Sequence, residues 1–461
     1  MTIFSLAWHQ DHSEATAYER PAGSALTHLA VSSPTNAETV AAVAQASTYA
    51  PWSGMRRCNL WDDGSVTAYY GDRCYTDTDV DNMGQSMVQI PKFWYTTDHT
   101  APDYTWYISD TGAAATEPAG HDHDWHIHPA FCRMSTLLDN AESHNGTGET
   151  ALKVIDSTGY VAGDTVFIKD SAGCETRTIG TVTGATDIEL TAGLTNTYTE
   201  ANGAVISRVK DYLYVSAYEG FFNTVTSKLE SKSGQAVTTY KTMPQFKTAA
   251  RLRAGVVNNR WEPLDFLTAS AIQLLNLVEY GTFNSRGVLG GGITVDTAAH
   301  LTGETAIGGA HASGNATYGT GGATTVMSYR GIENFFGNIT TFLDGINLKA
   351  DYTVWIADHD FAVDTYAHPY TNDAGLAIAQ AASFSKDITV TATTDYAFLS
   401  SLAVGGSPYT YLCDWWTAVA VNSLGALAGR FDLAGGMFGF YNTYNATTNT
   451  SRCGARLMYI G

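Results

Sequence analysis

The chain has 461 residues, of which 44% are hydrophobic, 12% aromatic and only 15% charged, enough apolar surface for a sizeable core and too little charge for wholesale disorder. Its 45 acidic against 25 basic residues give a formal charge of -20, which argues against nucleic acid as a partner because a phosphate backbone repels the same sign. No apolar run approaches the roughly 18 residues that span a bilayer, and the opening MTIFSLAWHQDHSEA lacks the basic start and long apolar stretch of a signal peptide.

In chain order, a short strand-like start leads into a predicted helix whose capping box is Thr35 and Glu38, with Val40, Ala41, Val43 and Ala44 on its apolar face. From Trp52 to Ile108 the pattern is aromatic and strand-like: SVTAYYG, MVQIPKFWYTT and YTWYISD alternate with Asp/Gly/Asn turns. Residues 146–208 read as five or six short strands with turn signals about every ten residues, and Phe167 is the sole Phe or Trp among them. Aromatic segments flank this stretch, HIHPAF before it and DYLYVSAYEG after it. Residues 140–209 are therefore expected to be a small all-β insertion projecting outward, since insertions are best tolerated at exposed loop tips.

Pro263–Tyr280 predicts a helix, with Leu267, Ala271, Leu274, Leu275 and Val278 at helical spacing, Asp265 as cap and Gly281 as stop. A second helix is predicted near Tyr329–Leu348 from Ile332, Phe335, Ile339, Phe342 and Ile346, its ends blurred by Gly331, Gly337 and Gly345. Between them, Gly287–Gly322 is rich in Gly, Ala and Thr, a length of loop that is usually functional or held by a partner subunit. Strands and aromatic loops follow from Tyr352, ending in the apolar ARLMYIG. Two helices among antiparallel strands predict an α+β fold.

Six cysteines, at 58, 74, 132, 174, 413 and 453, form no CxxC pair; free thiols are expected, with Cys58–Cys74 left open as a disulfide. HDHDWHIH (121–128) is the strongest metal-like stretch, placing Asp122, Asp124, His126 and His128 on one face of an extended strand. Four neighbours on one strand cannot all reach one ion, so a polar loop entering a strand is the expectation and no metal or cofactor is assigned. DTDVDNMG (77–84) has carboxylates at alternate positions, but Val88 stands where a calcium loop needs its closing Glu. GxSxG, HExxH and a phosphate-binding Gly loop are absent from the sequence, and no catalytic residue is assigned.

HPAF (128–131), YLYVSAYEG (212–220), Phe246–Gly255 followed by Trp261, AIQLLNLVEYGTFNSR (271–286), YRGIENFFGNI (329–339) and GARLMYI (454–460) occur in that order. Together they resemble the bacteriophage tail and receptor-binding proteins with a C-type-lectin-like fold, a family related in fold to the major tropism determinants and to formylglycine-generating enzymes. The resemblance covers roughly residues 50–135 and 210–461. It implies a C-type-lectin-like domain with two helices and antiparallel sheets, begun within 1–139, interrupted by the β insertion at 140–209 and completed by 210–461. It further implies pairing of N- and C-terminal strands, which places ARLMYIG at the centre of stability.

By that resemblance, a binding face lies within Val404–Arg452 and presents Tyr409, Tyr411, Trp415, Trp416, Phe440, Tyr441, Asn442, Tyr444 and Asn445. Rings give stiff amphipathic contact area, and Asn both donates and accepts. Trp415, Trp416 and Phe440 also fit a core role, as aromatics at strand spacing usually do. The implied protein is a non-catalytic virion component, made in the host cytoplasm and assembled on the phage particle as tail fibre, tip or collar. Its implied partners are a host-surface glycan or protein and other virion proteins, and its implied assembly is a homotrimer that gains firm attachment by avidity. A purely architectural decoration is the alternative. An enzyme of the formylglycine-generating sort is the second, opposed by the sequence distance between Cys413 and Cys453 and by the lack of a basic residue near Cys413.

Overall fold

The structure, a computed structural model, describes residues 2–10, 17–21, 24–27, 45–100, 102–111, 125–139, 146–170, 173–199, 202–254, 260–294, 296–303, 326–372, 376–378, 382–390, 394–402, 405–406, 411–412, 414–417, 419, 421–427, 429–430 and 435–461. The capping-box helix expected after Thr35, and most of the Gly/Ala/Thr-rich stretch, lie outside the described residues.

The expected two-helix lectin-like α+β architecture does not form. Strands make up 39% and helices 12% of the described residues, and the fold is a set of mostly antiparallel sheets. Among the described residues the four α-helices span 4, 9, 15 and 5 residues, so only one is long enough to organise packing.

A six-stranded antiparallel sheet forms the centre, in the order Trp261–Pro263, Leu457–Tyr459, Tyr212–Ser216, Gln85–Pro91, Arg56–Leu60, Val66–Tyr69. Alternate side chains point to opposite faces of a strand, and here each face has its own core. Val88, Ile90, Leu213, Val215, Met458 and Ile460 belong to the larger cluster. Cys58, Leu60, Met87, Trp261, Leu457 and Tyr459 belong to a second one. The final strand is therefore internal to the sheet, as expected. Its partners are Tyr212–Ser216 and Trp261–Pro263, whereas the N-terminal strand Ile3–His9 belongs to a separate five-stranded sheet with Asp103–Ser109 and Trp94–Thr100.

The long helix, Phe266–Tyr280, runs as the sequence predicts. Asp265 caps it by accepting from Thr268 N at 2.6 Å, and Gly281 ends it in the left-handed region at φ 71°. All 15 of its residues are buried, so it is a core helix without a solvent face.

The second predicted helix is a correction. Ser328–Tyr329 and Ile332–Glu333 pair as a tight hairpin, with Arg330 at φ 50° and Gly331 at φ 91°, the conformation of a two-residue hairpin turn. Asn334, Gly337 and Asn338 are also left-handed, which a right-handed helix cannot accommodate. Thr340–Leu348 then forms a strand buried along its whole length, in a seven-stranded sheet with Ser423–Leu427 and Phe440–Tyr444. A strand covered on both faces loses alternation, and Gly345, at φ 69° where the register with Ser423–Leu427 shifts, mimics a helical period.

This hairpin joins the long helix to the terminal strand through buried polar groups. Tyr329 Oη and Arg330 both donate to Glu279 on the helix. Arg456 donates to Ser216 O at 2.8 Å, Glu333 O at 2.5 Å and Asn334 O at 3.0 Å. Glu219 accepts from Asn334 Nδ2 at 3.2 Å and from Asn338 Nδ2. Burial pushes Glu219 up to about 8 from an ordinary 4.5, although Arg456 and the two amides oppose the shift. The folded state thus holds this proton more tightly than the unfolded chain. The stabilisation is full below about pH 4.5 and is lost as the pH rises towards about 8. Chemical denaturation from pH 5 to 8 should therefore show a smaller stability loss for Glu219→Gln than for the parent chain; equal slopes would place the proton elsewhere.

Residues 132–209 contribute a six-stranded antiparallel sheet in the order Ala151–Lys153, Asp187–Leu190, Gly173–Thr183, Thr165–Asp170, Val205–Val209, Cys132–Leu137. It has its own apolar cluster, which includes Leu152, Val166, Ile168, Ile188 and Ile206. Phe167 points the other way and joins the main core, edge-on to Trp94 at 5.7 Å. No helix among the described residues is long and apolar enough to cross a membrane.

Candidate functional site

Most of the predicted gripping residues are buried within the chain itself. Trp416 (0% exposed), Phe440 (4%), Tyr441 (7%), Asn442 (0%) and Tyr444 (8%) lie inside the seven-stranded sheet. Trp416 stacks on Phe440 at 4.9 Å, Tyr444 packs edge-on to Phe342 at 5.8 Å, and Asn442 Oδ1 accepts from Val419 N at 2.9 Å. These five offer little or no ring or amide surface to a partner, which corrects the expected face. The reason is the parallel pairing of Trp415–Thr417 with Phe440–Tyr444, which turns their shared apolar residues into core. Tyr411 and Trp415 are half-buried, Asn445 is exposed in a turn that holds Thr447 and Thr448, and Tyr409 lies outside the described residues.

Of the metal-like stretch, only residues 125–128 lie among the described residues. His121, Asp122, His123 and Asp124 lie outside the described residues. His128 is fully buried, its Nδ1 accepting from Ala130 N at 3.2 Å and its ring packed against Phe93, Tyr95 and Tyr396. Burial, then Arg133, holds its pKa well below the ordinary value. Asp77, first of the calcium-like carboxylates, accepts from Tyr75 Oη at 2.5 Å and Ser86 Oγ at 2.6 Å and faces Arg57 at 3.5 Å. No group of three or more metal-ligating side chains occurs among the described residues. Cys58 is buried, Cys74 is exposed, and both are free thiols.

A cleft of about 370 Å³ lies instead where the inserted sheet meets the central sheet, with walls from residues 133–134, 159, 208 and 210, 260 and 262, 358–361 and 460–461. The strands Cys132–Leu137 and Val205–Val209 slip register between Ile206 and Arg208. A bulge of this kind re-aims side chains, and Met134 sits on it at φ 58°. Tyr160 fixes the bulge by donating to Met134 O at 2.6 Å and Ile206 O at 2.9 Å. Gly159 lies under Met134, where a Cβ would stand 2.1 Å from the methionine Cε. On the opposite wall Asp360 is also left-handed, at φ 44°. Backbone strain of this sort collects at functional sites.

Most charges in the cleft are already paired. Arg133 donates to Ala130 O at 2.7 Å and Thr268 Oγ1 at 2.9 Å and meets Asp265 at 2.7 Å. Arg208 holds Asp164 at 2.8 Å, and Arg251 holds Glu262 at 2.7 Å. Burial raises Glu262 to about 8, with Asp344 adding to the shift and Arg251 only partly opposing it. Asp358 pairs with His359 Nδ1 and accepts from Ser135 N at 2.9 Å. Burial would raise Asp358, but these bonds outweigh it and leave its pKa below the ordinary value. His359 is raised, because Asp358 outweighs the effect of burial.

Lys210 and Arg260 differ from the rest: neither side chain is in a hydrogen bond or ion pair among the described residues. Burial, then Arg208, lowers Lys210 to about 8. No serine or cysteine among the described residues is hydrogen-bonded to His359. The buried Cys132 thiol nearby is pushed up to about 12 by burial, so it is no thiolate at neutral pH. The cleft groups offer hydrogen-bond donors and acceptors to a bound ligand. Sequence reasoning missed this cleft because its walls come from six separated segments. The only local signal was a pair of basic positions, in SRVKD and in RWE, within a chain poor in Lys and Arg.

No family model matches the chain, and no curated protein matches it. Among solved structures it is similar to the Major Tropism Determinant P3c Variant, at 10% identity and a TM-score of 0.24, over 70% of this chain and 85% of that one. A likeness that loose transfers neither fold nor function.

Proposed function

We propose that the chain is a non-catalytic recognition component of a phage particle, attaching to a host-surface glycan or protein, in a trimer, through several weak sites at once. The reading is supported by the junction cleft: a preformed concavity in which Lys210 and Arg260 have no hydrogen-bond or ion-pair partner among the described residues, within a strongly acidic chain. Preformed concave sites with a few convergent polar groups are the common form of ligand pockets, and multiplying a weak site on an oligomer raises avidity without new contacts. The contact surface shifts from the 440–444 strand to the cleft rim, with Tyr411, Trp415 and Asn445 left as further contributors.

Burial of Trp416, Phe440, Tyr441, Asn442 and Tyr444 favours the architectural alternative, a decoration protein without a receptor. Labelled full-length protein on a panel of bacterial cells separates the two. Saturable binding to some strains, weakened at least about tenfold by Lys210→Ala with Arg260→Ala, is the expected result. Binding to no strain would leave architecture as the function.

A further inference from the structure

We infer that the junction cleft binds the carboxylate of an acidic sugar, with Lys210 and Arg260 gripping the carboxylate and the rest of the walls receiving the ring. The assignment rests on the recognition reading only for its biological purpose; the chemistry follows from the cleft.

Three observations lead to it. Arg133, Arg208 and His359 each face a carboxylate at ion-pair distance, which leaves Lys210 and Arg260, among the described residues, as the cleft cations open to a ligand. A guanidinium offers a planar fork that matches a carboxylate, and an ammonium adds a compact point charge. Second, Asp360 also lines the cleft. Acidic acceptors take hydrogen bonds from hydroxyls and oppose a doubly charged phosphate, so the walls favour a singly charged, hydroxyl-rich ligand. Third, Met134, Phe361 and Ile460 supply apolar wall, suited to the C–H face of a sugar ring, and about 370 Å³ is near the lower end of the roughly 300–1,000 Å³ usual for small-ligand pockets. That size admits a small sugar and excludes a protein loop.

Calorimetric titration of the full chain with sodium glucuronate, glucose and inorganic phosphate tests the inference. Glucuronate should bind, more weakly as salt is raised, while glucose and phosphate should bind at least about tenfold less well. Lys210→Ala with Arg260→Ala should abolish glucuronate binding without changing the melting temperature. The charge-keeping pair Lys210→Arg and Arg260→Lys should retain it, which separates lost charge from lost fold. Equal binding of glucose, tighter binding of phosphate, or undiminished glucuronate binding by the alanine pair would each overturn the assignment. Cell binding is read in parallel. Cell attachment without glucuronate binding removes this inference and spares the recognition reading; glucuronate binding without attachment to any cell does the reverse.

Discussion

Arg456→Ala is expected to destabilise the protein by about 4 kcal/mol, read as a fall in denaturant midpoint. The guanidinium is fully buried and donates to three backbone carbonyls, Ser216 O, Glu333 O and Asn334 O. Hydrogen bonds from a charged donor contribute roughly 1.5–3 kcal/mol each, and a buried acceptor left unmade costs roughly 1–3 kcal/mol. Burial lowers the Arg456 pKa to about 10, against the pull of Glu219 and Glu333, so the side chain stays protonated at neutral pH. Because it joins the terminal strand to the Tyr212–Ser216 strand and the 328–334 hairpin, its loss frees three elements at once. A loss below about 0.5 kcal/mol, the range of ordinary surface changes, would mean that the Arg456 bonds contribute little to holding the three elements together.

Asp265→Ala should cost about as much, by a different route. Its carboxylate caps the long helix and pairs with Arg133 at 2.7 Å in full burial. Losing a cap costs about 1 kcal/mol, and leaving a buried arginine without its partner costs roughly 3–5 kcal/mol. Asp265→Asn separates the two, since an amide oxygen still caps while the charge is gone. It should recover only the capping part, and urea midpoints of both variants check this. Equal stability of Asp265→Asn and the parent chain would show that the Arg133 pair contributes nothing.

What could be read from residues alone follows a physical divide. The helix 266–280 was legible because a capping aspartate, helical spacing and a stop glycine agree. The strands from Val66 to Ser109 were legible from aromatic and β-branched runs between turns, and the 132–209 sheet from its regular turn spacing. Thr340–Leu348 was not, because burial on both faces erases the two-residue period and glycines at 331, 337 and 345 imitate a helix with breaks. In the aromatic and Asn set at 411–445 a core role was legible for Trp415, Trp416 and Phe440 but not for Tyr441, Asn442 and Tyr444, since parallel pairing of Trp415–Thr417 with Phe440–Tyr444 is a long-range event. The cleft was least legible of all: Met134, Lys210, Arg260, Asp360 and Ile460 meet only through the order of strands in the central sheet and the slip in the inserted one.

The central claim is that recognition happens at the seam between the two sheets and not on the strand at 440–444. Hydrogen-exchange protection of the full chain, free and bound to a bacterial strain it adheres to, tests this most directly. The account predicts slowed exchange in peptides covering 133–135, 207–211 and 358–361, with 440–444 unchanged. Protection confined to 440–444 and its neighbouring turn, with the seam peptides exchanging as in the free protein, would contradict it.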